Sequence, residues 1–362
     1  MLKAESLQST GSFKIRGALS KLHDLGPAGA RGVVAGSAGN HAQAVAYAAR
    51  HLGVRCEIFV PEGASISKTE ATRAYGATVR ESGETVDAAV TAARTRAAEE
   101  GMAFIHPFDD PAIVAGQATL GLELLEDVPD LRRVIVPVGG GGLASGMAIA
   151  LKRANAEISV VGVQIEGCAP YTDQPVVGGA ITTLADGIAV KQPGRLTRPL
   201  IEAWLDDIVT VNEDEVADAM MFLMERASLF VEGGGAVGVA ALLAERVAPA
   251  PSGVTAAVLS GGNVDLGVLP GLIRRAETRA GRRLTLFARI TDRPGGLARL
   301  LTVVSNERAN VIEVEHVREG LDLHVRETGI QITMEVRDRD HAERVLGAVR
   351  AAGYAASEPT PR

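Results

Sequence analysis

Between residue 31 and about residue 266, short apolar runs alternate with alanine-rich runs of helical period. Gly32–Gly36, Cys56–Val60, Thr78–Arg80, Arg133–Pro137, Ser159–Gln164, Asp207–Val211 and Val254–Leu259 read as strands. Asn40–Leu52, Ser67–Tyr75 and Glu84–Glu100 read as helices, and further helices fall between the later strands. Strands that are apolar throughout and separated by helices predict parallel sheets covered on both faces: an α/β protein of the open, wound kind. In such sheets ligands sit beyond the carboxyl ends of the strands, where the glycine-rich turns lie. After Gly281 the pattern changes. Leu284–Ile290 reads as a strand, Leu297–Asn306 as a helix, Asn310–Arg318 and His324–Val336 as strands, and Asp340–Ala351 as a helix. With a short strand near Tyr354, that order predicts a ferredoxin-like α+β domain. The basic stretch 274–283 reads as the linker, giving domains 1–273 and 284–362.

Composition narrows the partners. Aromatics are 3% of 362 residues, so the core must be built from Ala, Val, Leu and Ile. A formal net charge of −7 argues against a nucleic-acid partner. Two cysteines, Cys56 and Cys168, make neither a disulfide framework nor a zinc site. With no signal-peptide pattern and no apolar run of membrane-spanning length, the expectation is a cytoplasmic protein without a membrane partner.

Five stretches could carry chemistry. Ser9-Thr10-Gly11-Ser12-Phe13-Lys14 reads as a turn entering a helix, with Ser9, Thr10 and Ser12 as candidate caps and Lys14 in the first turn. The positive end of a helix favours a neutral, nucleophilic amine there. Taken alone, however, the stretch reads more simply as a capped helix with a solvated lysine. Ser37-Ala38-Gly39-Asn40-His41 lies between a strand and a helix and could hold a carboxylate on free amides, or merely cap the helix. Gly139-Gly140-Gly141-Gly142-Leu143 follows a strand and opens a helix; a phosphate is its natural guest, a flexible hinge the alternative. Neither a Walker loop nor a dinucleotide fingerprint fits, because no Lys-Ser/Thr follows and the glycine spacing is wrong. Ser260, at the end of the last strand, could meet a ligand nitrogen, and Glu232-Gly233-Gly234-Gly235 is a similar turn. Together these are the parts that a pyridoxal phosphate site needs.

The chain resembles fold-type II pyridoxal-phosphate enzymes, and specifically the threonine dehydratase (threonine ammonia-lyase) and serine racemase group. The resemblance rests on Ser12–Ala18 (SFKIRGA), Ser37–Ala49 (SAGNHAQAVAYAA), Val136–Leu143 (VPVGGGGL), Glu232–Leu243 (EGGGAVGVAALL) and Leu259–Asp265 (LSGGNVD), in order across nearly all of residues 3 to 270. It implies two wound subdomains, the smaller spanning approximately 22–110. It implies that Lys14 is the Schiff-base lysine and that Asn40 bonds the cofactor's ring hydroxyl. Gly139–Gly142 with Leu143 would hold the phosphate, and Ser260 would meet the pyridine nitrogen. Ser37, Ala38, Gly39, Asn40 and His41 would bind the substrate. The implied reaction is α,β-elimination of water from L-threonine, or L-serine, giving 2-oxobutanoate or pyruvate and ammonia, with Lys14 removing the Cα proton.

Two departures sharpen the expectation. Serine racemases of this group carry a serine where Ala38 stands, and Ala38 cannot take a proton. Some relatives bind a divalent cation through a glutamate matching Glu166 and an aspartate where this chain has Thr172, so no metal is expected. The tail resembles an ACT domain through Asp292-Arg293-Pro294-Gly295-Gly296-Leu297. That implies an amino-acid effector, with isoleucine or valine as the guess, subunit pairing into a homodimer or homotetramer, and a role in isoleucine biosynthesis. The competing expectations are a serine racemase or 3-hydroxyaspartate dehydratase, and a non-catalytic amino-acid-binding regulator. In the family the lysine follows a full strand ending in a segment like Leu2–Gln8, so Met1 is expected to begin inside that strand, with the start upstream or the chain truncated.

Overall fold

The computed structural model describes residues 1–29, 31–173, 176, 178–179, 181–318, 324 and 326–358. Two compact units divide between Asp265 and Leu266.

The first unit holds two parallel sheets. Its elements are β1 (Leu2–Ala4), α1 (Lys14–Leu25), β2 (Val33–Gly36), α2 (Asn40–Leu52), β3 (Cys56–Val60), α3 (Ile66–Ala74), β4 (Thr78–Glu81), α4 (Val86–Glu100) and β5 (Ala103–Phe104). They continue with α5 (Pro111–Asp127), β6 (Leu131–Pro137), α6 (Gly142–Ala154), β7 (Ser159–Ile165), α7 (Thr197–Trp204), β8 (Asp207–Val211), α8 (Glu213–Ala227), α9 (Gly233–Leu243) and β9 (Val254–Leu259). The larger sheet has the order β1-β9-β6-β7-β8 and the smaller β4-β3-β2-β5. The smaller sheet thus lies within the expected small subdomain. All its strands pair in parallel, so each connects to the next through a helical crossover rather than a tight hairpin.

Local chemistry fixes the helix starts. Asp110 caps α5, accepting from the amides of Ala112 and Ile113 at 2.9 and 3.3 Å, and Pro111 takes the first helical position. Asn212 and Glu215 form a reciprocal capping box at α8. The core beside the larger sheet is aliphatic: Leu120, Leu124, Val134, Val136, Met147 and Leu151 are all fully buried there. The segment Leu2–Gln8, expected as strand, is strand only to Ala4 and then a 3-10 turn over Glu5–Leu7.

The second unit begins with α10 (Leu269–Arg279), followed by β10 (Arg283–Thr291), α11 (Gly296–Asn306), β11 (Asn310–Val317), β12 (Glu327–Glu335), α12 (Arg339–Ala351) and β13 (Ala356–Ser357). Its sheet is antiparallel, ordered β11-β12-β10-β13, as a ferredoxin-like plan requires. Leu284, Leu286, Ala288 and Ile290 alternate along β10 into a core shared with Leu300, Val304 and Val345. The first part of the expected linker 274–283 lies in α10, a helix whose Leu272 is buried while Arg274 and Arg279 are exposed. Of the expected strand His324–Val336, residue 325 lies outside the described residues, as do 319–323 and the domain end 359–362. No helix among the described residues is long and apolar enough to cross a membrane.

Candidate active site

Lys14 is the first residue of α1, preceded by Phe13. The loop before it is tied to the loop after β9. The Phe13 amide donates to the Ser260 carbonyl at 3.0 Å and the Gly262 amide to the Gly11 carbonyl at 2.8 Å. The expected hydroxyl caps do not form. Phe13 sits at the cap position without a side-chain bond, and the buried hydroxyls of Thr10 and Ser12 have no hydrogen-bond partner among the described residues. Neighbouring backbone already takes the loop's amides, Gly11 donating to Gln8 at 2.7 Å. Lys14 Nζ donates to the Pro107 carbonyl at 2.9 Å. Burial draws its pKa down to about 8, opposed by the carboxylate of Glu232. Desolvation, rather than the helix end, is therefore the leading cause of the poised amine. Two residues on, Arg16 clamps the helix. It bonds buried Glu5 at 2.7 and 2.9 Å and Glu123 at 2.6 and 2.8 Å.

The second stretch starts α2. The Gly39 amide donates to Ser37 Oγ at 3.2 Å, and a Cβ added at Gly39 would meet nothing within 4 Å. Ala38 is half-buried beside the smaller sheet's core. Asn40 Nδ2 donates to Glu232 Oε1 at 2.6 Å. His41 is buried, with Nε2 3.0 Å from the Ile105 carbonyl oxygen. Burial, and then Lys14, push its pKa to about 3, so its ring is neutral at working pH.

Gly139–Gly142 links β6 to α6. The leading amides of a helix have no partners within it, so this turn presents donors at the positive end of α6. The turn is buttressed. The Gly140 carbonyl accepts from Thr197 Oγ1 at 2.6 Å and from the Tyr171 hydroxyl at 3.1 Å. A Cβ at Gly140 would come within 2.2 Å of the Phe108 ring. Leu143 is buried in the core behind the turn. Asp109, next to Phe108, accepts three amides at the start of α7: Arg195 at 3.0 Å, Leu196 at 2.9 Å and Thr197 at 3.1 Å.

Ser260 is buried at the end of β9, its Oγ 3.5 Å from the Gly234 carbonyl oxygen. Glu232 precedes α9 and is also buried. Desolvation and then Asp186 raise its pKa to about 7, while Asn40, Lys68 and Lys14 hold it down. Lys68 and Asp186 pair at 3.5 Å. Sequence reasoning noted Glu232 and Asn263 only as parts of glycine-rich turns and missed Pro107, Phe108 and Asp109. Asp110-Pro111 was the available signal, a capped helix start that closes the loop after β5. Glu166 is exposed just beyond β7, and among the described residues no group of three His, Cys, Asp or Glu could hold a metal ion.

An amine of lowered pKa, a helix start with a glycine turn, and a hydroxyl for a ring nitrogen suit one compact group bearing an aldehyde, a phosphate and a pyridine. Residues 1–261 match the family model described as pyridoxal-phosphate dependent enzyme, and residues 282–353 match an ACT domain. The chain belongs to the pyridoxal-phosphate dependent enzyme family. Pyridoxal phosphate is thus its cofactor, and the residues present fit it. Among this family's members, an L-threonine ammonia-lyase of Thermotoga maritima is 44% identical over 98% of this chain and 89% of its own length. The crystal structure of a T.th. threonine deaminase is similar with a TM-score of 0.67 and 40% identity, covering 73% of this chain and 87% of its own. A maize serine racemase structure is similar with a TM-score of 0.70 and 33% identity, covering 77% and 87%.

Proposed function

We propose that this chain is an L-threonine ammonia-lyase, converting L-threonine to 2-oxobutanoate and ammonia and L-serine to pyruvate and ammonia. The observation that carries the reading is the placing of Lys14: its amine is bonded to Pro107, whose neighbour Phe108 packs on the glycine turn. Bound pyridoxal phosphate supplies the electron sink for the substrate's Cα–H electrons. The amides of Gly139–Gly142 and the start of α6 hold the phosphate, with Leu143 fixing the turn to the core. Asn40 donates to the ring hydroxyl and Ser260 meets the ring nitrogen. Ser37 and the amides of Ala38, Gly39 and Asn40 orient the substrate carboxylate, and His41 supports that helix start from beneath as a neutral ring. Lys14 Nζ would be the group that takes the Cα proton. A pKa near 8 lets it accept that proton close to neutral pH. Loss of the β-hydroxyl and later hydrolysis return the water, so the balance is one amino acid to one 2-oxo acid and one ammonium.

The ACT unit takes an amino-acid effector at the turn 292–296, with isoleucine or valine as the expected class. The chain works as a homodimer or homotetramer in the cytoplasm, in isoleucine biosynthesis. No metal is assigned, and Glu166 lacks a carboxylate companion at Thr172. The racemase reading finds support in the similarity to maize serine racemase, but Ala38 has no proton to give or take. The deciding test offers purified holoprotein L-threonine and L-serine, with and without branched-chain amino acids, and follows 2-oxo acids, ammonia and D-serine. The proposal expects 2-oxo acids and no D-serine; D-serine as the main product would replace it with the racemase.

A further inference from the structure

Asn263 lies in the loop after β9, three residues beyond Ser260. Its Nδ2 is 2.9 Å from the Thr10 carbonyl oxygen and 2.6 Å from Asn40 Oδ1. Asn40 Nδ2 is in turn 2.6 Å from Glu232 Oε1. Both ends of this chain fix its direction. A backbone carbonyl only accepts, so Asn263 must turn its NH2 group towards Thr10, and the same nitrogen then faces the oxygen of Asn40; in its ionised form Glu232 also only accepts, so Asn40 turns its NH2 group towards it. The oxygen of Asn40 is then the only atom that can face Asn263, and the two constraints agree. Two glycines make room for the relay. A Cβ at Gly11, where φ is +70°, would come within 2.4 Å of Asn263 Oδ1, and a Cβ at Gly261 within 2.2 Å of Glu232 Oε1. Among the described residues, no acceptor takes the second N–H of Asn40.

We infer that Asn263 is a positioning residue: with Glu232 it locks the amide of Asn40 in the one orientation that offers a free N–H to the cofactor's ring hydroxyl. This rests on the reading of Asn40 given above. An unlocked amide could present its oxygen instead and lose that bond.

The test is a double-mutant cycle on pyridoxal phosphate affinity, measured by equilibrium dialysis of the apoprotein, with the visible band of the holoprotein as second readout. Asn263→Asp keeps the shape but replaces the donor with an acceptor; Asn263→Ser removes the amide without adding charge and serves should the first fail to fold, as judged by apoprotein melting. Either change is expected to weaken cofactor binding about tenfold, near 1.4 kcal/mol, and to shift the visible band. In the Asn40→Ala background the same change is expected to cost nothing further. An equal loss in both backgrounds overturns the relay while leaving Asn40 at the cofactor. Unchanged affinity in Asn40→Ala alone overturns the assignment of Asn40, and this role for Asn263 with it.

Discussion

Glu232 Oε1 sits 2.6 Å from Asn40 Nδ2, in the same buried pocket whose field reaches Lys14. An acid with a pKa raised to about 7 and an amine with a pKa lowered to about 8 therefore share one site.

Their opposite shifts make apoprotein stability depend on pH with a definite sign. Lys14 goes from 10.5 unfolded to about 8 folded, so the unfolded chain binds more protons between those values and stability rises with pH across that window. Glu232 goes from 4.5 unfolded to about 7 folded, so its contribution is present below 4.5 and lost as pH rises through 7. Urea melts of apoprotein from pH 4 to 10.5 should show Lys14→Met flattening the alkaline rise and Glu232→Gln flattening the fall towards neutrality. If both variants run parallel to wild type throughout, neither shift exists.

Gly140→Ala places a methyl against Phe108. Overpacking of this kind costs about 1–3 kcal/mol, and here it also displaces the turn assigned to the phosphate. Cofactor should dissociate from the variant more readily than from wild type. In a Phe108→Ala background the methyl has room, and the further loss should shrink towards zero. Persistent loss in that background would place the fault in the turn's backbone rather than at the ring.

Asp109→Asn should loosen α7 by about 1–3 kcal/mol, because one carboxylate serves three backbone amides and an amide oxygen replaces it poorly. Trp204, the single tryptophan, lies at the far end of that helix, so its fluorescence melt reads the change. A melting midpoint equal to wild type would assign those amides to other acceptors.

Ala38→Ser supplies the hydroxyl that the serine racemases of the group carry. Formation of D-serine from L-serine should rise from background, with 2-oxo acid release retained. If D-serine stays at background while the variant keeps its cofactor, the residue at 38 is not what separates the two activities.

The glycine-marked parts of the site were legible in the sequence. Gly139–Gly142 and the start of α2 at Asn40 are marked by local composition as helix starts, whereas Lys14 alone reads as a solvated lysine and stands out only beside the other motifs; the short apolar strands fell within a residue or two of their ends. The rest depends on contacts far apart along the chain. Pro107 and Phe108 look like an ordinary loop until the fold sets them against Lys14 and Gly140. Glu232 reads as the edge of a glycine turn, and nothing near it in sequence reveals that it is buried against Asn40. Asn263 stands in a recognisable motif, but its role comes from Thr10, which is 253 positions away. Thr10 and Ser12 failed as caps for the same reason: the loop after β9 supplies the acceptor that local rules left out.

Release of 2-oxobutanoate from L-threonine, compared between wild type and Lys14→Ala with both proteins checked for folding, tests the central claim most directly. Wild-type holoprotein should release 2-oxobutanoate and ammonia in equal amounts, and the variant should be slower by about 10²–10⁴-fold or more. A folded Lys14→Ala protein that turns over threonine at the wild-type rate, or a cofactor-loaded wild type that releases none, would contradict it.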